Sequence, residues 1–171
     1  MIELREHQLR VVNKMLNHQR GQVIVPTGGG KTMCMISDAI SQLSKKNQTI
    51  VVVAPRILLA QQLSQDFLEL VHPVKVLHVH SGETDHYSTT DSKGIFEWVV
   101  SNWNDNRIIF STYHSLHRIQ ESSIPVDTIY FDEAHNSVQK NFVEATEYHS
   151  MYANRCYFFT ATPKHSKTPF K

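Results

Sequence analysis

The sequence has few of the features that mark secreted or membrane-bound chains. It contains two cysteines among 171 residues, Cys34 and Cys156, far apart in the chain, which excludes a disulfide framework and favours a reducing compartment. The longest apolar run, Ile50–Ala54, is far shorter than the roughly 20 residues that span a bilayer. The first residues are polar and charged, unlike a secretory signal. We therefore expect a cytoplasmic protein without a membrane segment.

An excess of charge of one sign is also lacking. The formal net charge is +1, with 40% hydrophobic and 19% charged residues, an ordinary globular composition. A nucleic-acid contact would therefore have to come from local patches and not from the field of the whole chain. The length suits one domain over residues 1–171 and leaves little room for a second.

What the sequence does contain is a regular alternation of helical and strand-like apolar spacing. Helices are predicted over residues 5–18, 33–43, 59–70 and 95–100, strands over 22–25, 50–54, 74–79, 107–110, 126–131 and 157–160, and a polar surface loop over 81–93. The strand at 50–54 is apolar throughout, as in strands covered on both faces. Strands that alternate with helices indicate an α/β fold, a doubly wound parallel sheet.

A glycine-rich string lies between the first predicted strand and the helix that follows it. It comprises Thr27, Gly28, Gly29, Gly30, Lys31 and Thr32 after Pro26. Consecutive glycines let backbone N–H groups turn toward a phosphate, and the following helix points its positive end at the same place. Lys31 adds a charge for the β- and γ-phosphates, and Thr32 offers a hydroxyl to Mg²⁺. Val25 occupies the place where the usual string begins with glycine or alanine.

Two adjacent carboxylates follow the predicted strand at 126–131. Ligands bind at the carboxyl ends of strands in open parallel sheets, which is where Asp132 and Glu133 would lie. One carboxylate can hold Mg²⁺ while its neighbour orients and activates the attacking water. The candidate metal ligands are Thr32 and Asp132. The candidate catalytic residues are Lys31, Asp132 and Glu133.

Together these strings resemble the motifs of superfamily 2 helicases, in the same order and spacing. The strings are PTGGGKT at 26–32, DEAH at 132–135, TATP at 160–163, APRILLAQQ at 54–62, STYH at 111–114 and LREHQ at 4–8. The resemblance covers nearly the whole chain. It implies the first motor domain of such a helicase or translocase, a RecA-like P-loop NTPase domain that uses ATP and Mg²⁺.

The resemblance also implies roles for residues outside the phosphate loop and the acids. Arg5 and Gln8 would contact adenine, and Arg56 and Thr112 would contact nucleic acid. His135, Thr160 and Thr162 would couple the nucleotide state to the grip on nucleic acid. The opening LREHQ string looks like DNA translocases, repair helicases and restriction-type motors, including type III restriction-type helicases, so DNA is favoured over RNA.

Motors of this family hydrolyse ATP between two similar domains. The second RecA-like domain, normally in the same polypeptide, supplies arginine side chains to the site, and we expect that domain to be absent from this chain. The chain alone should then bind nucleotide and hydrolyse it weakly.

Two other functions fit a phosphate loop. A small-molecule kinase would need an acceptor site and a lid, and no arginine-rich lid segment is present. A binding module switched by nucleotide would not need a water-activating acid, which argues against it because Glu133 follows Asp132.

Two histidines and two tryptophans are further candidates for binding sites. His78 and His80 share one face of a predicted strand but have no cysteine or carboxylate at metal-ligand spacing, so packed or solvated histidines are the expectation. Trp98 and Trp103 could stack on bases, although anchoring a helix to the sheet is the simpler role.

Overall fold

The computed structural model describes residues 4–25, 30–81, 87–135 and 142–161. Within these ranges seven strands form one sheet in the order β1-β7-β6-β2-β5-β3-β4, and every recorded strand pair is parallel. The strands are β1 (Arg20–Val25), β2 (Thr49–Ala54), β3 (Lys75–Val79), β4 (Tyr87–Ser88), β5 (Arg107–Thr112), β6 (Thr128–Phe131) and β7 (Arg155–Ala161). The predicted α/β parallel sheet is confirmed.

In the part of the chain that the structure describes, six α-helices flank the sheet and cover both of its faces. They are α1 (Glu6–Asn17), α2 (Lys31–Leu43), α3 (Ile57–Leu70), α4 (Ser92–Ser101), α5 (Leu116–Ser122) and α6 (Val143–Tyr152), and a 3₁₀ turn (Tyr113–Ser115) precedes α5. Buried side chains of α1, α2 and α3 pack on one face, and those of α4, α5 and α6 pack on the other. The sheet is therefore doubly wound, as predicted.

Strand β2 shows why the core has two halves. All six of its residues are buried, and β-branched side chains suit such a pleated, covered surface. Successive side chains point to opposite faces: Ile50 and Val52 join the layer of α1, α2 and α3, while Val51 and Val53 join the layer of α4, α5 and α6. The short apolar run in the sequence is thus a central strand covered on both faces.

The expected loop over 81–93 was partly wrong. Tyr87–Ser88 form a two-residue strand beside β3, and α4 already begins at Ser92 after Asp91, whose carboxylate accepts a hydrogen bond from the Lys93 backbone N–H. Residues 82–86 lie outside the described residues. Turn-forming residues dominate this segment, so its local sequence did not indicate a strand. The strand forms because it pairs with β3.

We use the term amino edge for the edge of the sheet where the parallel strands begin. There Asp38 of α2, fully buried, pairs with Arg155 at the start of β7. The guanidinium donates two hydrogen bonds to the Asp38 carboxylate, at 2.7 and 2.9 Å, and the Tyr130 hydroxyl donates a third. Arg155 also reaches the Met15 carbonyl at 3.1 Å. This network joins α1, α2, β6 and β7.

A second buried arginine lies at the same edge. Arg107, the first residue of β5, is fully buried and donates hydrogen bonds to the Thr49 hydroxyl at 3.0 Å and to the carbonyls of Asn47, Asn102, Trp103 and Asp105. Burial lowers the pKa of its guanidinium, and Asp127 and Asp105 oppose that change. Buried polar groups need such complete hydrogen bonding, and Arg107 finds it within the protein.

Within the described residues, no helix has the length and apolar character needed to cross a membrane.

Candidate functional site

Three adjacent strands, β1, β7 and β6, bring the candidate residues to the carboxyl edge of the sheet. Lys31 opens α2 after β1, Thr160 lies near the end of β7, and Asp132 directly follows β6. Phe131 is level with Phe158 across the β6–β7 pair, so Thr160 extends two residues beyond the end of β6. The strand order therefore assembles residues that are about a hundred positions apart in sequence.

Gly30 sets the entry into α2. It is the N-cap residue with φ 76° and ψ 44°, in the left-handed region, which glycine adopts without steric cost. A Cβ at this position would collide with the Gln8 amide and come within 3.3 Å of Arg5. The left-handed backbone conformation favours glycine here, and a side chain would also have to displace the flexible end of Gln8.

The ammonium group of Lys31 lies between two carboxylates. Its Nζ is 2.9 Å from Asp132 Oδ1, and it donates a hydrogen bond to Glu133 Oε1. Burial disfavours the charged ammonium, but Asp132 and Glu133 together outweigh burial and raise the pKa of Lys31. Lys31 is therefore a stable cation at this edge.

Asp132 is the most buried charge of the site, with a side chain 7% exposed. Its ion pair with Lys31 does not have the alignment of a hydrogen bond, and Oδ1 has no hydrogen-bond partner among the described residues. Burial raises the pKa of the Asp132 carboxyl, and the opposing attraction of Lys31 offsets this only in part. Both pKa values are raised, which favours the charged form of Lys31 and the neutral form of Asp132, because burial weighs more heavily on Asp132. A buried carboxylate whose oxygen receives no aligned hydrogen bond fits a divalent cation.

Glu133 has an unusual backbone for a glutamate. Its φ is 51°, in the left-handed region that costs a residue with a Cβ about 1–2 kcal/mol. Its side chain remains 31% exposed, and Oε2 lies 3.8 Å from His135 Nδ1. The turn thus places a half-exposed carboxylate next to both Lys31 and His135.

Gln8 of α1 lies against the end of the phosphate loop. Its side chain is buried, accepts a hydrogen bond from the Arg5 backbone N–H at 2.9 Å and donates one to the Gly30 carbonyl at 3.3 Å. Arg5 is exposed beside it. The structure therefore brings both residues to the site.

The remaining candidates are distributed as follows. Thr32, half-buried, is the second residue of α2, and Thr160 is buried on β7. Thr27, Gly28, Gly29 and Thr162 lie outside the described residues.

Arg56 and Thr112 lie on the next strands of the sheet. Ala54 at the end of β2 is level with Thr112 at the end of β5, and Arg56 is the exposed N-cap residue of α3. Thr112 is buried, and its hydroxyl accepts a hydrogen bond from the Ser115 backbone N–H at 3.2 Å. These two residues share the carboxyl edge with the acids but not their cluster, and Thr112 caps the 3₁₀ turn.

Tyr113 was not identified as a site residue by the sequence analysis. Its hydroxyl donates a hydrogen bond to the Asp132 carbonyl at 2.8 Å. The contact joins residues that follow β5 and β6, two strands separated by β2. No local spacing signals it, because it depends on the strand order.

The histidines and tryptophans have packing roles. His78 and His80 are buried, with His78 Nδ1 2.9 Å from His80 Nε2 and His78 Nε2 3.2 Å from the Ser64 hydroxyl. Burial lowers the pKa of His80. Among the described residues, no three histidine, cysteine, aspartate or glutamate side chains are grouped as a metal site. Trp98 packs on the core, and Trp103 lies 4.8 Å from the Arg107 guanidinium.

Comparison with known proteins agrees with this geometry. The chain is similar to a nuclease-deletion mutant of the Type ISP restriction-modification enzyme LlaGI, solved with a DNA substrate mimic (24% identity, TM-score 0.82, 96% of this chain and 18% of that chain). It is also similar to the Pyrococcus furiosus Hef helicase domain (20% identity, TM-score 0.71, 96% of this chain and 34% of that one). The bacteriophage T4 UvsW helicase matches at 16% identity and TM-score 0.68, over 94% of this chain and 52% of that chain. This chain spans at most about half the length of these relatives. No curated protein matches it in sequence.

The chain shares its fold with the matching parts of these restriction-enzyme and helicase structures. Residues 1–165 match the family model described as Type III restriction enzyme, res subunit, and the chain belongs to that family.

Proposed function

We propose that this domain binds Mg·ATP at the carboxyl edge of β1, β7 and β6 and hydrolyses it to drive movement along nucleic acid. The observation that carries the proposal is the placement of Lys31 between Asp132 and Glu133, at the start of a helix that follows a glycine-rich loop. A cation at a helix N-terminus with two acids beside it suits a phosphate chain accompanied by a metal ion.

Each residue then has a defined task. Lys31 binds the β- and γ-phosphates, together with backbone N–H groups of residues 27–30. Thr32 and Asp132 hold Mg²⁺, which neutralises phosphate charge when bound. Glu133 orients the attacking water and accepts its proton. Arg5 and Gln8, beside Gly30, contact adenine.

The contacts of Lys31 suit a site that binds phosphate and a metal ion together. Both carboxylates contact the lysine, and bound phosphates would compete for its ammonium group, which would leave Asp132 for the metal ion and Glu133 for water. The Glu133 side chain is 31% exposed, so water can approach it.

Nucleic acid would bind across the neighbouring strands β2 and β5. The exposed Arg56 contacts the phosphate backbone, and Thr112 lies on the same path. His135, Thr160 and Thr162 couple the nucleotide site to this path, since β7 and β6 lie between the phosphate loop and β2. DNA is favoured over RNA, because the opening LREHQ string resembles DNA motors and the LlaGI structure holds a DNA substrate mimic.

A second RecA-like domain is the expected partner. It would supply arginine to the γ-phosphate, which can contribute a large share of the rate. The present chain alone should therefore bind nucleotide but hydrolyse it weakly.

Calorimetric titration with Mg·ADP tests the proposal. Wild type should bind saturably, and Lys31→Ala should weaken binding by tenfold or more, about 1.4 kcal/mol. Lys14→Ala, on α1 and away from the site, is the matched control and should bind as wild type does. Absence of binding by wild type, or equal binding by wild type and Lys31→Ala, would contradict the proposal.

A further inference from the structure

The Tyr113 hydroxyl is placed to act on the acidic turn. It donates a 2.8 Å hydrogen bond to the Asp132 carbonyl, and the side chain is 1% exposed. The ring stacks on Phe131 and on Phe142, each with centroids 5.9 Å apart. Packing on both sides fixes the ring, so the direction of the hydroxyl is also fixed.

The Asp132 backbone is held from two strands at once. Its N–H donates to the Val53 carbonyl of β2 at 2.8 Å, while its carbonyl accepts from Tyr113, which follows β5. The next residue, Glu133, has the left-handed φ of 51°. A backbone in this region persists only when its surroundings hold it, and the Tyr113 hydroxyl holds the peptide that leads into it.

We propose that Tyr113 is a positioning residue, whose hydroxyl orients the Asp132–Glu133 turn toward the metal–nucleotide complex. The inference rests on the proposed function, since it concerns the same site. Tyr113 touches neither phosphate nor metal; it acts through the Asp132 carbonyl. Its place directly after Thr112 also connects the turn with the loop that follows β5.

The test compares two variants that each remove one buried tyrosine hydroxyl. Tyr113→Phe removes the bond to Asp132. Tyr157→Phe is the matched control, because the Tyr157 hydroxyl also donates to a backbone carbonyl, that of Met15 at 2.6 Å, but at the amino edge. For each protein the affinity for a non-hydrolysable ATP analogue is measured with Mg²⁺ and in EDTA, together with the unfolding free energy.

The expected result is specific to the metal-dependent part of binding. Tyr113→Phe should reduce the gain in affinity that Mg²⁺ brings by about fivefold, the equivalent of one hydrogen bond, and leave affinity in EDTA unchanged. Tyr157→Phe should leave both affinities unchanged while lowering stability by a similar amount to Tyr113→Phe.

Four results would contradict the inference or the function on which it rests. An undiminished Mg²⁺ gain in Tyr113→Phe overturns the inference while leaving the proposed function intact. Equal losses with Mg²⁺ and in EDTA, or an equal loss in Tyr157→Phe, also overturn it, since they indicate a purely structural role. If wild type binds no analogue under either condition, it is the proposed function that fails.

Discussion

At the amino edge of the sheet a buried acid is enclosed by its partners, whereas at the carboxyl edge a buried acid is left partly unsatisfied. Asp38 receives two hydrogen bonds from Arg155 and one from Tyr130. Asp132 Oδ1 lies 2.9 Å from the Lys31 ammonium but receives no aligned hydrogen bond from the described residues. The pKa values fit this contrast. Asp38 raises the pKa of the half-buried Arg155 guanidinium against the effect of its burial, whereas burial raises the pKa of the Asp132 carboxyl.

This contrast indicates a division of labour along each strand. At the amino edge the charged side chains join helices to strands, so they pair with other groups of the protein. The carboxyl edge keeps partly exposed charges around Lys31 and a glutamate with a left-handed backbone, a conformation that costs stability. Functional sites commonly carry such local cost, because a group already satisfied by the protein has less to gain from a ligand.

The largest effect on stability is expected from a substitution at the amino edge. Asp38→Asn leaves the Arg155 guanidinium buried without its counter-charge, and we expect a loss of about 3–5 kcal/mol in unfolding free energy, measured by urea denaturation. In the double variant Asp38→Leu/Arg155→Met, which removes both charges, the loss should be smaller. A loss below about 1 kcal/mol in the single variant would mean that the pair behaves like an exposed salt bridge.

A pH titration probes the part of the amino edge that is not satisfied. His149, near the end of α6, is buried and its Nε2 has no hydrogen-bond partner in the described chain. Burial, opposed by a hydrogen bond to the Leu116 backbone, lowers its pKa from 6.5 to about 4. Below pH 6.5 the unfolded chain therefore takes up a proton that the folded chain refuses, and stability falls as the pH drops from 6.5 toward 4.

The control for this titration is His149→Gln, which cannot titrate. The difference in unfolding free energy between wild type and His149→Gln should change by about 3 kcal/mol between pH 7 and pH 4, in the direction that disfavours wild type at low pH. A difference that stays constant across this range would show that His149 is not held in its neutral form.

A smaller effect on stability is expected from the strained backbone of Glu133 at the carboxyl edge. Glu133→Gly and Glu133→Ala both remove the carboxylate, but only glycine adopts φ 51° without strain. We expect Glu133→Gly to be more stable than Glu133→Ala by about 1 kcal/mol in chemical denaturation. At Glu144, in the first turn of α6, the same two substitutions should rank in the opposite order, with alanine more stable. An identical ranking at both positions would argue against backbone strain at Glu133.

Local pattern was sufficient for most of the sheet. β2 is a continuous β-branched run, and the strands before and after it carry similar signals, so the parallel α/β fold followed from the sequence. Two helices were missed. α5 is only seven residues long, and α6 buries Ala145, Thr146 and His149, a mixture without a clear apolar stripe. Their helical state depends on packing against each other, against α4 and against the strands β3 and β7.

The candidate site divides in the same way. Lys31, Asp132 and Glu133 were found because strand-end acids and a glycine-rich loop have local signatures. Tyr113 was missed because its bond to Asp132 crosses an intervening strand. The amino-edge pair of Asp38 and Arg155, 117 positions apart, was equally out of reach of local pattern. What the sequence could not provide is the strand order, and contacts that depend on the order remained hidden.

Asp132→Asn tests the central claim most directly, by chemical denaturation with and without Mg·ADP. In wild type a ligand at a hundred times its dissociation constant adds about 2.7 kcal/mol to the unfolding free energy. We predict that the variant without ligand stays within about 1 kcal/mol of wild type, since burial already penalises the Asp132 carboxylate, and that most of the Mg·ADP stabilisation is lost. A variant that is several kcal/mol less stable without ligand, or that keeps the full stabilisation by Mg·ADP, would contradict the account.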